Sequence, residues 1–391
     1  MSGIPSLAQG LSPPQPDDLH WMQQALALAE TVMNVTTPNP RVGCVIVRDG
    51  QRLGGGATQV AGGPHAEICA LRDAARHGHA LPGSTFYVTL EPCSHHGRTP
   101  PCVDAVIAAK PARVVVALPD PNPRVAGRGL AKLRQAGIAV TLGVAHDAAL
   151  AQNPGFMARM TRGTPWLWLK LAGSLDGRGA LHNGVSQWIT GPAARHDGHR
   201  WRARACAVLT GIGTVLADDP LLTPRQDGVT RLPRKIVLDS QLRLPRHARL
   251  LDGTPTWVFA TETAPDRDAE LADANAQVVR LPATPSGHLP LAAVLDWLGR
   301  HDINEVHAEA GPRLNGALLQ ANLVDELLLY QAPLLLGDAR AVAELPALTR
   351  LPEPARFAFI DVRLVGDDVR LRARHRQAWQ TLLDTVTLPT A

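Results

Sequence analysis

Two stretches decide how this chain is read: Gly63-Pro-His-Ala-Glu67, and Glu91-Pro-Cys-Ser-His-His-Gly-Arg-Thr-Pro-Pro-Cys102. Pro64 precedes a helix-like run from His65 to Arg76, and Pro100-Pro101 precede another from Cys102 to Ala109. Proline is favoured where a helix begins, so His65 and Cys102 are placed at helix starts. That placement matters for His65 and Glu67. Positions i and i+2 on a continuous helix diverge by about 200°, so both reach one site only if His65 opens the helix. A helix N-terminus also favours a thiolate, which suits Cys102. Cys93 follows an apolar run, Thr85 to Leu90, and lies just past a strand end, where open α/β sheets place their sites.

One His and two Cys match the three protein ligands of a catalytic zinc, with the fourth position left to water. Zinc lowers the pKa of that water toward ~7. Glu67 is then the proton carrier. The pattern His-x-Glu, Pro-Cys and a second Cys is the signature of zinc deaminases. A closed structural site would instead need a fourth ligand, which His95 or His96 could supply. Cys44, Cys69 and Cys206 stand in apolar surroundings and are read as core.

Outward from these stretches, the chain alternates strands and helices, an α/β pattern expected to give a mostly parallel sheet. Its 391 residues, 45% apolar and 19% charged, suit two or three packed domains. Residues 1–17 read as a disordered tail and 18–160 as the zinc-dependent domain, with a boundary near residue 160 and a second domain over 161–391. The net charge of +4 is mild, and the arginines form no block. A nucleic-acid partner is therefore not expected. No run approaches the roughly 18 apolar residues of a membrane span, and residues 1–18 lack the layout of a signal peptide. Five Cys without disulfide-like spacing point to the cytoplasm. The oligomeric state stays open, a homo-oligomer included.

The second half carries weaker signals. It has no Gly-x-Gly-x-x-Gly after a strand. Gly211-Ile-Gly213-Thr214 and Glu309-Ala-Gly-Pro-Arg-Leu-Asn-Gly316 both read as strand, glycine, helix start. Backbone N–H groups at such a start suit a pyrophosphate. Two in one domain favour a cofactor. Asn39, between two prolines, is either a ligand for a pyrimidine edge or a turn residue.

The eight residues between Cys93 and Cys102 depart from cytidine and tRNA-adenosine deaminases. They resemble the bifunctional riboflavin-biosynthesis deaminase/reductase family. Thr37-Pro-Asn-Pro-Arg-Val-Gly43, Asp120-Pro-Asn-Pro123, Lys170-Leu-Ala-Gly-Ser-Leu-Asp-Gly177, Ser186-Gln-Trp-Ile-Thr190, Gly213-Thr-Val-Leu-Ala-Asp-Asp-Pro220 and Glu309-Ala-Gly-Pro312 agree, in order, over residues 20 to 340. The resemblance implies a cytidine-deaminase-like three-layer sandwich followed by a dihydrofolate-reductase-like α/β domain. It implies one zinc ion per chain and NADPH. The substrate implied is a small phosphorylated pyrimidine, deaminated and then reduced from ribosyl to ribityl. By the same resemblance Ala172, Trp188, Thr214, Asp218, Ser240, Gly311, Pro312, Arg313, Leu314, Asn315, Gly316 and Ala317 contact the cofactor. Ser186, Arg202, Leu221, Arg225 and Glu309, with Asn39 in the first domain, contact substrate. Arg202 and Arg225 would grip phosphate. Lys170 and Asp176 are placed near the ribose. The competing readings are a nucleic-acid-editing zinc deaminase with an RNA-binding second domain, and a non-catalytic zinc-stabilised scaffold.

Overall fold

The structure is a computed structural model that describes residues 10–95, 100–122, 125–351 and 356–386. The chain divides into two compact units, one of Met1–Arg162 with Thr381–Ala391, the other of Gly163–Gln380.

In the first unit the order is α1 (Asp18–Glu30), β1 (Gly43–Arg48), β2 (Gln51–Ala57), α2 (Ala66–Arg76), β3 (Thr85–Val88), α3 (Cys102–Ala108), β4 (Arg113–Val116), α4 (Arg128–Gln135), β5 (Ala139–Leu142), α5 (His146–Gln152) and α6 (Pro154–Arg162). The sheet order is β2-β1-β3-β4-β5. Only β3–β4 and β4–β5 run parallel, while β1 is antiparallel to both its neighbours. The expectation of a mostly parallel sheet is thus corrected for this unit. The Asp49-Gly50 turn joins β1 directly to β2, and a tight turn can only reverse the chain.

Glycine shapes this sheet. A Cβ on Gly43 would meet the backbone of Ala25 in α1 at 1.9 Å, and one on Gly54 would meet Ala70 O in α2 at 2.5 Å. Gly43 and Gly54 point to opposite faces, since Gly43 pairs with Ala57 and Ile46 with Gly54. Helices therefore cover both faces, which makes three layers. Glycines 54 to 56 lie inside β2, and α2 packs directly on Gly54 and Gly56, where a Cβ would meet Ala70 and Cys69.

Residues 10–17 correct part of the expected tail. Leu11 bridges to Val140, and Ser12 N donates to Val140 O at 2.7 Å. Buried Asp18 takes two hydrogen bonds from Arg113, at 2.6 and 2.8 Å, and one from the Tyr87 hydroxyl at 3.0 Å. Arg113 also donates to Pro13 O, which ties the segment down. Residues 1–9 lie outside the described residues.

The second unit contains β6 (Trp166–Ser174), β7 (Arg178–Ala180), α7 (Pro192–Arg204), β8 (Ala207–Gly211), α8 (Ile212–Asp218), β9 (Arg234–Leu238), β10 (Thr256–Thr261), α9 (Asp268–Ala272), β11 (Ala276–Leu281), α10 (Leu291–Arg300), β12 (Glu305–Ala308), α11 (Pro312–Gln320), β13 (Glu326–Ala332), β14 (Arg340–Ala341), β15 (Phe357–Val365) and β16 (Asp368–His375). The last helix, α12 (Arg376–Thr385), carries the chain out of this unit, and from Thr381 it belongs to the first. Leu382 and Val386 are buried there, so the second domain is shorter than the expected 161–391.

A nine-stranded sheet runs β11-β10-β9-β8-β12-β6-β13-β16-β15. It is parallel from β11 to β13, and β16 and β15 are antiparallel. Both faces of the parallel part are apolar. Ile236 and Leu238 join one core cluster and Val237 the other, as strand alternation requires. The β15–β16 hairpin had no counterpart in the sequence reading. Strand β16 alternates Arg370, Arg372 and Arg374 with apolar residues. Arg370 pairs with Asp197 and Asp361, and Arg372 and Arg374 pair with fully buried Glu326. These arginines are engaged in internal ion pairs.

Candidate active sites

In the first unit, His65 is the N-cap of α2, with φ −77° and ψ 169°. Its extended backbone turns the ring away from the helix axis, while Glu67 sits in the first turn. Cys102 is the first residue of α3, and Cys93 lies on the loop between β3 and α3. His65 Nδ1 stands 3.6 Å from Cys93 Sγ and 3.3 Å from Cys102 Sγ. The three ligand atoms all lie within 4.8 Å of one another. A tetrahedral zinc with Zn–N of about 2.05 Å and Zn–S of about 2.3 Å would have N···S edges of ~3.5 Å. The donor set and its spacing therefore fit zinc. Among the described residues this is the one His/Cys/Asp/Glu group placed to hold a metal. His95 is not in it, and His96 lies outside the described residues.

The electrostatics agree with that chemistry. Cys93 is drawn down to about 4, first by the thiol of Cys102 donating to it and then, against burial, by His65. Cys102 is raised by the same contact. Two thiols here share one negative charge, and a dication would release the remaining proton. Cys102 N also donates to Cys93 Sγ at 3.3 Å. Glu67 is 3% exposed. Burial, and next the Cys93 charge, push it up to about 7, which suits a group that must both take and give a proton at neutral pH.

A residue absent from the sequence reading holds this loop. Buried Glu91, two residues before Cys93, accepts backbone N–H bonds from Asp120 (3.1 Å), Gly127 (3.0 Å), Gly129 (2.8 Å) and Leu130 (3.3 Å). It ties the Cys93 loop to the segment entering α4. Glutamine at this position has one acceptor oxygen for four donors, and its amide would face N–H groups. Glu91→Gln is expected to destabilise the first unit by ~2–4 kcal/mol and to weaken zinc retention. Thermal unfolding with metal analysis checks this, and unchanged values for both would remove Glu91 from that role.

Asn39 lies in a turn before β1, where its N donates to Thr36 O and its O accepts from Thr36 Oγ1. Its side-chain amide has no partner among the described residues. Of the residues read as core cysteines, Cys44 and Cys206 are buried, whereas Cys69 is only partly so.

The second unit contains a cavity of about 1370 Å³. It is lined by Ala172, Trp188, Thr214, Asp218, Ser240, Gly311 to Asn315, Ala317, Ser186, Arg202, Leu221, Arg225 and Glu309. Gly316 is the exception. A Cβ there would meet Glu344 O at 1.9 Å, so it packs against the chain after β14 rather than facing the cavity. Asn315 is a pin, donating to Ala310 O and Val342 O. The two glycine turns stand side by side. A Cβ on Gly311 would lie 3.7 Å from Thr214 Oγ1, and one on Gly211 would lie 3.2 Å from Leu314. Two helix starts on neighbouring parallel strands thus aim backbone N–H groups at one place, which fits a pyrophosphate. Trp188 is 64% exposed, with the Arg195 guanidinium 4.4 Å from its ring centre. It is a cavity wall and not core.

Arg202 differs from the expected phosphate grip. Its Nε donates to Glu309 Oε1 at 2.6 Å, its Nη2 to Oε2 at 2.9 Å, and its Nη1 to Thr223 O at 3.1 Å. Burial would raise Glu309, but Arg202 and then His307 hold it well below the usual carboxylate range. His307 Nε2 is 3.4 Å from Glu309 Oε1. Lys170 lines the same cavity and is lowered by burial. Arg225 donates to His199, whose pKa falls to about 4, first through burial and then through Arg202 and Arg225. His199 and His307 were missed in the sequence. For His307 a signal existed, because it precedes Glu309 by two residues at the end of β12 and shares its side. Asp176 does not line the cavity. It accepts from Ser174 Oγ and from the backbone of Leu336 and Gly337, which makes it a loop staple.

Residues 15–118 match the cytidine and deoxycytidylate deaminase zinc-binding region, and residues 165–371 match the RibD C-terminal domain. The chain is 48% identical over 368 residues to riboflavin biosynthesis protein RibD of Escherichia coli K12, covering 90% of this chain and 98% of the relative. It is 43% identical to RibD of Haemophilus influenzae over 90% of this chain and 96% of that one. Among solved structures, Acinetobacter baumannii RibD (form 1) superposes with a TM-score of 0.84 at 44% identity, over 92% of this chain and 99% of that one. A Thermotoga maritima diaminohydroxyphosphoribosylaminopyrimidine deaminase/5-amino-6-(5-phosphoribosylamino)uracil reductase does so with a TM-score of 0.81 at 31% identity, over 92% and 98%.

Proposed function

Because the chain belongs to the RibD family and is a zinc-dependent deaminase and NADPH-dependent reductase of riboflavin biosynthesis, we propose that its two reactions divide between its two compact units. The first unit deaminates a diaminopyrimidinone bearing a ribosylamino 5-phosphate. The second reduces the ribosyl chain of the product to ribityl. The observation that carries the first assignment is the His65–Cys93–Cys102 triangle with a buried Glu67 near neutrality beside it.

Zinc, bound by those three residues, supplies the Lewis acidity that makes water acidic enough to attack at neutral pH. Glu67 takes the proton of the attacking water and hands it to the ring nitrogen. It then takes the proton of the new carbon-bound hydroxyl and delivers it to the departing amine, so that water and an amino-bearing carbon become a carbonyl and ammonia. Asn39, with its amide unpaired, is assigned to the pyrimidine edge.

In the second unit NADPH supplies the hydride, and the chain's part is positioning. The paired glycine turns hold the pyrophosphate. The Arg202–Glu309 fork forms a fixed wall for the ribose, with Lys170 as the proton-holding group beside it. Ser186, Leu221 and Arg225 complete the substrate side. A cytoplasmic setting, in which thiols stay reduced, suits the two cysteines of the zinc triangle. No described helix is long and apolar enough to cross a membrane. The RNA-editing alternative is not favoured, since the second half matches the RibD C-terminal domain.

Purified protein given the diaminopyrimidinone phosphate should release ammonia without NADPH and form the ribityl product only with it. Removing zinc with a chelator should stop ammonia release and leave NADPH oxidation on the already deaminated substrate intact. Loss of both activities on chelation would refute the division.

A further inference from the structure

The cavity of the second unit has a direction. Strands β6, β12, β8 and β9 are parallel neighbours in that order, and Ala172, Glu309, Gly211 and Ser240 line the cavity at or just beyond their carboxyl ends. The charge pair Arg202–Glu309 marks the reaction end at β12. The far end lies at β9, two strand spacings or about 10 Å away. In open α/β sheets the chain leaving the strand beside the phosphate turn reads the adenosine ribose. A carboxylate there takes a free 2′-hydroxyl, and an arginine accommodates a 2′-phosphate.

The residues after β9 are Asp239, Ser240, Gln241, Leu242, Arg243 and Leu244. Asp239 has the residue type that would choose a free hydroxyl, but it is fully buried and absent from the cavity wall. Its Oδ2 accepts from Leu244 N at 2.8 Å. It braces the loop and cannot reach a ribose. Ser240 and Arg243 do line the cavity. Leu242 and Leu244 are buried at 1% and 0% exposure, so the backbone on both sides of Arg243 is anchored and its side chain is directed outward. That side chain is 53% exposed, and its one ionic neighbour is Asp239 Oδ1 at 3.7 Å. No hydrogen bond to its guanidinium exists among the described residues. Its five N–H donors are therefore available to a ligand. Of the six other cavity-lining arginines, Arg195, Arg202, Arg225 and Arg340 donate to Thr190 O, Glu309, His199 and His182 O. Arg313 is 92% exposed at the pyrophosphate turn, and Arg249 lies six residues further along the loop.

We propose that Arg243, with the Ser240 hydroxyl beside it, binds the 2′-phosphate of the cofactor and sets the preference for NADPH over NADH. The assignment rests on the reading that the cofactor occupies this cavity. It needs no chemistry on the nicotinamide, so binding alone tests it.

Equilibrium binding to the full chain should be measured with NADP⁺, NAD⁺, 2′,5′-ADP and 5′-AMP. The unmodified protein should bind NADP⁺ and 2′,5′-ADP more tightly than their partners without the 2′-phosphate. Arg243→Ala should weaken NADP⁺ and 2′,5′-ADP by ~10–100-fold, the worth of a charge-assisted phosphate contact. It should leave NAD⁺ and 5′-AMP within about twofold. Arg243→Lys should keep part of the preference, since it keeps the charge and loses the fork. Equal weakening of all four ligands would overturn the proposal, as would a selective loss in Arg249→Ala or Arg313→Ala instead. Failure of the unmodified protein to bind either dinucleotide would refute the placement of the cofactor itself.

Discussion

Glu67→Gln is expected to lower ammonia release by ~10⁴-fold, the upper end of what a single general acid–base group contributes. The side chain is buried at 3% exposure, so no bulk water stands in for it. Its pKa, pushed up to about 7 by burial and by Cys93, lets it exchange protons in both directions at neutral pH. Glutamine has the same size and can hold a hydrogen bond, but it cannot accept the proton of the attacking water. The metal should stay, because the three ligand atoms at His65, Cys93 and Cys102 are untouched. Zinc content near one per chain and NADPH oxidation on the deaminated substrate are the two controls. Ammonia release at the unmodified rate with zinc in place would mean that Glu67 is not the proton carrier and would revive the scaffold reading. Loss of NADPH oxidation in a folded variant would contradict the assignment of the reactions to separate units.

Arg202→Ala should reduce reductase kcat/KM by at least ~10²-fold and destabilise the second unit by about 3 kcal/mol. The sequence alone suggests a simpler result, a raised KM from a lost phosphate contact. The structure changes the expectation because both arms of the guanidinium are on Glu309, at 2.6 and 2.9 Å. The pair is mostly buried, with side-chain exposures of 15% and 17%. Removing one partner leaves the other charge without compensation, which costs ~3–5 kcal/mol for buried pairs. The residual exposure places this pair at the lower end. The loss should appear in kcat as well as KM, since an unpaired Glu309 no longer forms a fixed wall. The double variant Arg202→Ala/Glu309→Gln should recover stability relative to Arg202→Ala. Strictly additive effects on stability, or a change in KM alone, would show that the fork does not act as a unit. Deamination should be unaffected in both variants.

How far the sequence reached can be seen residue by residue. His65, Glu67, Cys93 and Cys102 were legible because the chemistry of a zinc site restricts residue type and because prolines mark the helix starts. Strand β5, Ala139–Leu142, is legible as a short apolar run between Gly137 and Gly143. Strand β2 is not legible from its own residues, because Gly54 and Gly56 answer to α2 packed on them and not to their neighbours in sequence. The β15–β16 hairpin was invisible, since alternating arginines look solvated until Glu326, Asp197 and Asp361 are seen to face them.

The sequence by itself determined the α/β class and singled out the zinc-type group His65, Cys93 and Cys102 with Glu67 beside it, which the fold then brings together. Each of these depends on short-range order: a helix start, a strand end, a fixed set of donor atoms. Only the tertiary structure decided which charges are paired. It turned Arg202 from a free phosphate ligand into one half of a fork with Glu309, and it buried Asp239 while leaving Arg243 open to the cavity. Partners 107 residues apart, as Arg202 and Glu309 are, meet only through the stacking of strands and helices, and nothing in the local pattern around either one encodes the other.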